Sequence, residues 1–296
     1  MLSPDIKKSL QKLEITTNRS VTSLFSGNYK SAFKGRGVEF SDIREYAPGD
    51  DMRMIDWRTS AKKDELYVKK FQETRELSMI FLIDGSGSMF FGSEHHTKID
   101  ILLHTVAMLA LSALKSNDRV GAFFFQEDII EMILPRKGRS HFWRLLSAVE
   151  ALKTHMIYAK SNTTKALQHI HKTRLSRSII FLLTDQIDPH DETLIKWLRI
   201  TASRHDLVVG KITDPLEQSF PQSGLFHLED PETGEKALID FSHTASRQRF
   251  EKAMKKGREE ERKLFKKLGI DVLELSHVNE IFQKLYLFFK QRQARY

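Results

Sequence analysis

A chain of 296 residues with 40% hydrophobic and 29% charged positions has an ordinary globular composition, long enough for one large α/β domain and a smaller appendage. It contains no cysteine, which excludes disulfides, thiolate metal sites and a cysteine nucleophile and fits a cytoplasmic setting. The formal net charge of +8 permits attraction to acidic partners or nucleic acid without requiring it.

The chain opens without an apolar core or a cleavage pattern, so no signal peptide is expected. Ser3 and Pro4 suit the first positions of a helix whose apolar face carries Ile6, Leu10 and Leu13. A polar, glycine-containing segment follows over residues 26–37. Residues 38–76 read as extended chain and turns dense in paired charges, with Pro48-Gly49-Asp50-Asp51 a turn and with Tyr46, Trp57, Tyr67, Val68 and Phe71 as apolar anchors. A small β-rich module packed on the main domain is expected there, which divides the chain into 1–76 and 77–296.

From residue 77 onward strands and helices alternate as a doubly wound sheet requires. Residues 79–83 form an unbroken apolar run that stops at Asp84. Thr97 and Asp100 resemble a capping box opening a helix to about residue 115, and its apolar stretch, 101–114, falls well short of the ~20 residues of a bilayer span. Two strands, 119–125 and 129–134, joined by a polar turn, predict a hairpin at one sheet edge. Helices are expected at about 140–152, 163–171 and 191–203, and strands at 178–184 and 207–212. The alternation then breaks at an inserted hairpin, about 214–242, centred on Asp230-Pro231-Glu232-Thr233-Gly234-Glu235. The block 247–267 is basic but interrupted by Glu251, Glu259, Glu260 and Glu261, and Phe250, Met254, Leu264 and Leu268 make an apolar stripe. A solvated helix face is expected there, rather than a nucleic-acid surface. A strand near 270–275 and a helix over 278–291 close the chain.

Three separated pieces carry the chemistry. They are Asp84-Gly85-Ser86-Gly87-Ser88, the polar turn Ser161-Asn162-Thr163-Thr164, and Asp185. Each adjoins a segment that reads as part of the buried sheet, so all three are expected on the rim where open α/β sheets bind ligands. Gly85 and Gly87 let the backbone curl so that Asp84, Ser86 and Ser88 surround a small centre. Asp185 supplies a second carboxylate and the middle turn a hydroxyl. Oxygen donors of this kind suit Mg²⁺ or Mn²⁺, with a coordination position left for an outside ligand. The competing explanation is that these are ordinary turn and capping residues.

Several enzyme patterns fail. A haloacid-dehalogenase-type aspartate wants a second carboxylate where Ser86 stands, a nucleophile elbow wants G-x-S-x-G, and no phosphate-binding G-x-x-x-x-G-K-[ST] loop occurs. His95, His96, His169 and His171 lack the helical spacing of a zinc site. A metal-dependent hydrolase needs a general base that the sequence does not nominate.

The metal pattern resembles the von Willebrand factor A domain, whose metal-ion-dependent adhesion site uses D-x-S-x-S, a later Thr and a later Asp. The run from Gly35 through Asp42-Ile43-Arg44-Glu45-Tyr46-Ala47-Pro48-Gly49-Asp50-Asp51 to Asp56-Trp57-Arg58, continuing through Leu66-Tyr67-Val68-Lys69 into the Asp84 loop, resembles the bacterial family numbered fifty-eight among the domains of unknown function. The resemblance implies a doubly wound, mostly parallel sheet of von Willebrand factor A type. It also implies a Mg²⁺ held by Asp84, Ser86, Ser88 and Asp185, with Ser161 favoured as middle ligand by position and Thr163 by residue type. The implied role is a non-enzymatic adaptor or scaffold working with a MoxR-type AAA+ ATPase and a client protein that supplies an Asp or Glu carboxylate. A nucleic-acid binder and a metal-dependent hydrolase are the alternatives.

Overall fold

The computed structural model of the chain describes residues 39–63, 65–72, 77–92, 96–153, 159–217, 224–240 and 244–295. The helix expected from Ser3 and the segment 26–37 lie outside them. The chain divides into two compact units, Lys34–Leu77 and the remainder, Met1–Phe33 with Ser78–Tyr296.

In the small unit, β1 (Glu39–Glu45) pairs antiparallel with β2 (Tyr67–Gln72), and a seven-residue helix, α1 (Trp57–Lys63), lies between them in the chain. Its charges are structural in part. Arg44 donates two hydrogen bonds of 2.7 Å to the Asp50 carboxylate across the Pro48-Gly49 turn, where Gly49 takes the φ of +109° that a side chain resists. Asp56 accepts from the amides of Arg58 and Thr59 and so caps α1. The apolar anchor is not Trp57, which is 65% exposed, but Ile55, bridged to Val68 and buried with it. The helix docks instead through buried Ser60, whose hydroxyl accepts from the Tyr67 amide.

The large unit is built on six strands. In chain order they alternate with helices: β3 (Ser78–Asp84), α2 (Lys98–Lys115), β4 (Arg119–Phe125), β5 (Ile129–Arg136), α3 (Arg139–Leu152), α4 (Thr163–Lys172), β6 (Ile179–Thr184), α5 (Glu192–Arg204) and β7 (Asp206–Ile212). A separate antiparallel hairpin, β8 (Leu225–Glu229) with β9 (Lys236–Asp240), precedes α6 (Thr244–Leu268), β10 (Asp271–Leu275) and α7 (Ile281–Arg295). The main sheet has the order β10-β7-β6-β3-β4-β5, parallel except for β5, which returns antiparallel along β4 as the outer strand. The fold is thus the doubly wound, mostly parallel α/β sheet that the alternation predicts.

The central strands are apolar on both faces because both faces are covered. Side chains alternate along β3. Ile80 and Leu82 join Ile180 and Leu182 in a core cluster with Leu167 of α4, Leu198 of α5 and Phe265 of α6. Phe81 stacks obliquely on Phe181, ring centres 6.0 Å apart, and both are fully buried. Helix α2, opened by the expected capping box between Thr97 and Asp100, is buried along most of its length and packs on α3 and α7. Each of these large side chains removed from water contributes about 1.5–3 kcal/mol, which fixes the strand ends firmly. Among the described residues, no helix is long and apolar enough to cross a membrane.

Helix α6 is exposed at all but one position from Glu251 to Gly257, as a solvated face should be, but Glu261 departs from that expectation. It is 5% exposed and ion-pairs with Lys211 of β7, because the helix must turn one face onto the sheet to bury Phe265.

Candidate metal centre

Strand order reverses between the parallel neighbours β3 and β6: from β3 the sheet grows through β4 to β5 on one side, and from β6 through β7 to β10 on the other. Crevices at the carboxyl ends of strands arise at such switch points. The parallel register, which runs from Met79 opposite Ile179 to Ile83 opposite Leu183, brings the end residue Asp84 beside Thr184. Asp185 follows one position later.

Asp84 is fully buried. One carboxylate oxygen accepts from the Ser86 amide at 2.9 Å; the other accepts from the hydroxyls of Ser161 and Thr184, each at 2.7 Å. All three donors are neutral. Burial, and then the charge of Asp185, push the Asp84 carboxyl above the usual range against these hydrogen bonds. Ser86 and Ser88 present their hydroxyl oxygens to each other at 3.1 Å in the next turn, a short 3-10 segment over Gly87–Phe90.

The loop is tied down from three sides. The Gly85 amide donates to Phe125 O at 2.8 Å, its carbonyl accepts from Gln126 Nε2 at 2.8 Å, and the Gly87 amide donates to Ala159 O at 3.0 Å. The Asn162 amide donates to Gln126 O at 2.9 Å, which brings the middle turn to the same rim. The two loop glycines do not adopt left-handed backbone, contrary to the simplest account of a tight curl. Gly87 is required for a different reason: a Cβ there would overlap the carbonyl oxygen of Pro231, at the tip of the β8–β9 hairpin, with the Pro231 carbonyl carbon at 2.8 Å.

Of the expected residues, Asp84, Ser86, Ser88 and Ser161 are therefore gathered at one point. Ser161, rather than Thr163, faces Asp84. Thr163 is buried at the first position of α4, behind the cap formed by Asn162, whose side chain accepts from the Lys165 amide. Asp185 is at the rim but engaged elsewhere: its carboxylate accepts from Lys98 Nζ at 2.8 Å, and Lys98 also ion-pairs with Glu217. Burial opposes the Lys98 charge, but Asp185 and Glu217 outweigh it and hold the ammonium above the usual lysine range. Thr184, Lys98 and Glu217 were not singled out in the sequence. The first was visible as the Thr-Asp end of an apolar strand, whereas the other two had no local signal.

Among the described residues, no three His, Asp or Glu side chains converge on one point, so a cation here would have to rest on hydroxyls as well as carboxylates. The donor set suits one. It is all oxygen, it includes a buried carboxylate with only neutral partners, and it lacks the sulfur and imidazole that select softer metals. The residues that would hold it are Asp84, Ser86, Ser88 and Ser161, with Asp185 available once its hold on Lys98 loosens. A cleft of about 600 Å³ opens beside the site, lined by Ser88, Lys98, Asp185, Lys211, Pro231 and Arg258 among others. Burial lowers Lys211, which faces that cleft, to about 8.

The family model described as "Protein of unknown function DUF58" matches residues 42–260. Among curated relatives, the uncharacterized protein Rv1480 of Mycobacterium tuberculosis is 25% identical over 234 residues, 78% of this chain and 72% of its own. The uncharacterized protein YeaD of Bacillus subtilis is 23% identical over 175 residues, 59% of this chain and 40% of its own. Similar solved structures include the conserved hypothetical protein BatB of Bacteroides thetaiotaomicron, at 12% identity and TM-score 0.45 over 74% of this chain and 100% of that one. The von Willebrand factor A domain of SpRpn10 is similar at 16% identity and TM-score 0.38, over 46% of this chain and 75% of that one.

Proposed function

The chain belongs to the DUF58 family, and from that premise together with the geometry of the rim we propose that it is a protein-binding module whose grip depends on a divalent cation. The observation that carries this reading is the fully buried Asp84 carboxylate, whose three hydrogen-bond donors are all neutral. A buried anion without a counter-charge costs several kcal/mol, and Mg²⁺ or Mn²⁺ at the Ser86 and Ser88 hydroxyls would offset it. A metal held by so few protein ligands keeps positions open. An Asp or Glu carboxylate of a client protein fits such a position, because it adds a hard oxygen and balances the remaining charge. The module is a binder rather than a catalyst in this reading, and a MoxR-type AAA+ ATPase, the partner implied by the family resemblance, is the machine it would serve.

The test is thermal unfolding of wild type and Ser86→Ala with and without millimolar Mg²⁺ or Mn²⁺. A ligand present at a hundred times its Kd stabilises the folded state by about 2.7 kcal/mol. A rise in wild type that Ser86→Ala lacks is the expected result, and equal behaviour of the two proteins counts against the site. The partner is tested separately, by capture of the purified ATPase on wild type and Asp84→Ala in the presence of the cation; capture that ignores Asp84 would refute a metal-bridged contact.

A further inference from the structure

The β8–β9 hairpin is an unusual neighbour for a metal rim. It forms its own two-stranded sheet, and its arms leave Leu225 and Leu238 more than half exposed. A two-stranded ribbon of this kind is marginal in water without further contacts. Its tip is where the contact is made. Pro231 and Glu232 are half-buried, the Pro231 carbonyl lies against Gly87, and the Glu232 amide nitrogen is 3.5 Å from where a Gly87 Cβ would stand. Pro231 lines the same cleft as Ser88 and Asp185. The tip is internally ordered as well: the Asp230 carboxylate accepts from the Glu232 amide at 2.8 Å, and the Asp230 amide donates to Glu235 O at 2.8 Å.

We propose that Glu232 is a further carboxylate of this metal centre, supplied in cis by the hairpin and standing where an outside carboxylate would bind. The inference rests on the metal reading above. Its first support is position, since the hairpin backbone is packed on the middle of the D-x-S-x-S loop. Its second support is charge. Glu232 is half-buried beside Asp185, Asp84 and Asp230, and all of these, after burial itself, push its carboxyl up. Lys160, next to Ser161, is the cation that opposes them. Carboxylates near one rim repel one another; among the described residues Asp84, Asp185 and Glu232 do not converge on one point, and Lys98 holds Asp185. A divalent cation at the rim would offset that repulsion and favour a Glu232 carboxylate turned toward it. A protein partner would then bind by exchanging its own carboxylate for Glu232, so the hairpin sets a threshold that weak or accidental acidic segments fail to cross.

The experiment is a Mn²⁺ titration of the full chain, read from the paramagnetic resonance of free Mn²⁺, on wild type, Glu232→Gln, Glu235→Gln and Asp84→Ala, with melting curves in chelator to verify folding. Glu232→Gln, which keeps one oxygen but removes the negative charge, should bind about tenfold more weakly, the scale on which polar groups supporting a metal site act. Glu235→Gln, on the same hairpin, should bind like wild type, and Asp84→Ala should not bind. A second variant, in which Asn-Gly replaces residues 230–235, should match Glu232→Gln and guards against misfolding of the point variant. Wild-type affinity in Glu232→Gln overturns the proposal, as does an equal loss in Glu235→Gln, which would indicate only a general charge effect. If wild type takes up no Mn²⁺, or Asp84→Ala takes it up equally, the metal reading itself has failed and this inference falls with it.

Discussion

The ammonium of Lys98, at the first turn of α2, lies 2.8 Å from the carboxylate of Asp185, 87 positions further along the chain, with both side chains almost wholly enclosed. A lysine so placed acts as an internal counter-ion for the rim and engages the Asp185 carboxylate in an ion pair of its own. Lys98→Met would leave Asp185 and Glu217 without their shared cation. Removing one partner of a buried pair costs about 3–5 kcal/mol, so a fall in melting temperature is expected in chelator. Mg²⁺ or Mn²⁺ should recover a larger part of the stability in this variant than it adds to wild type. A variant that is destabilised but indifferent to cations would show that Asp185 serves Lys98 alone.

Ser161 and Thr163 make separable predictions. Ser161→Ala removes one of three donors to a buried carboxylate, at a cost of about 1–3 kcal/mol in chelator, and should weaken Mn²⁺ binding by at least about tenfold. Thr163→Val keeps the shape of a buried side chain that does not face Asp84, and cation affinity should be unchanged. The reverse order of effects in the same titration would reassign the middle ligand.

Gly87→Ala tests the hairpin contact directly. The added methyl group would overlap the Pro231 carbonyl, so the tip must lift while the main sheet is left alone. Amide hydrogen exchange should quicken across β8 and β9 and stay slow in β3 and β6, with global stability altered by no more than about 1 kcal/mol. Unaltered exchange in the hairpin would mean that the loop gives way instead.

At the opposite end of the sheet, His205 accepts from the Ser178 amide through Nδ1 at 3.2 Å and is 5% exposed. Burial, followed by His171, Arg204 and Arg177, lowers it from 6.5 to about 4. The unfolded chain therefore takes up this proton first as pH falls. The stability His205 provides is fully present above pH 6.5 and is lost as pH falls through about 4. In urea unfolding at about pH 7 and about pH 5, the advantage of wild type over His205→Asn should shrink at the lower value. A constant difference would show that His205 does not titrate in the folded protein as its surroundings dictate.

The parts of this fold that sequence exposes are those dictated locally. The apolar run 79–83, the strand ending in Thr184-Asp185 and the capping box at Thr97 each declare themselves within a few residues, and together they locate Asp84 and Asp185 on one rim. What stayed hidden depends on distant partners. Nothing adjacent to Lys98 marks it as a buried ion-pair partner, since Asp185 and Glu217 reach it only through the winding of the sheet. That Ser161 rather than Thr163 reaches Asp84 goes with the bond between the Asn162 amide and Gln126, which holds the turn at the rim. Trp57 misled because an aromatic residue in a small module suggests an anchor, yet its place directly after the capping Asp56 turns it outward. Gly87 was singled out for letting the backbone curl, whereas the neighbour that demands a residue without Cβ lies 144 positions away in the hairpin.

The antiparallel strand β5 has one further effect. Its pairing with β4 shifts register between Val120 and Ala122 and again between Phe124 and Phe125, and it carries Pro135, which has no amide hydrogen to offer. An outer strand that is kinked and missing a donor is a poor template for another chain's backbone. Copies of this protein held at high concentration therefore meet along that edge a strand interrupted at Pro135 and at two register shifts, which disfavours its extension by another chain.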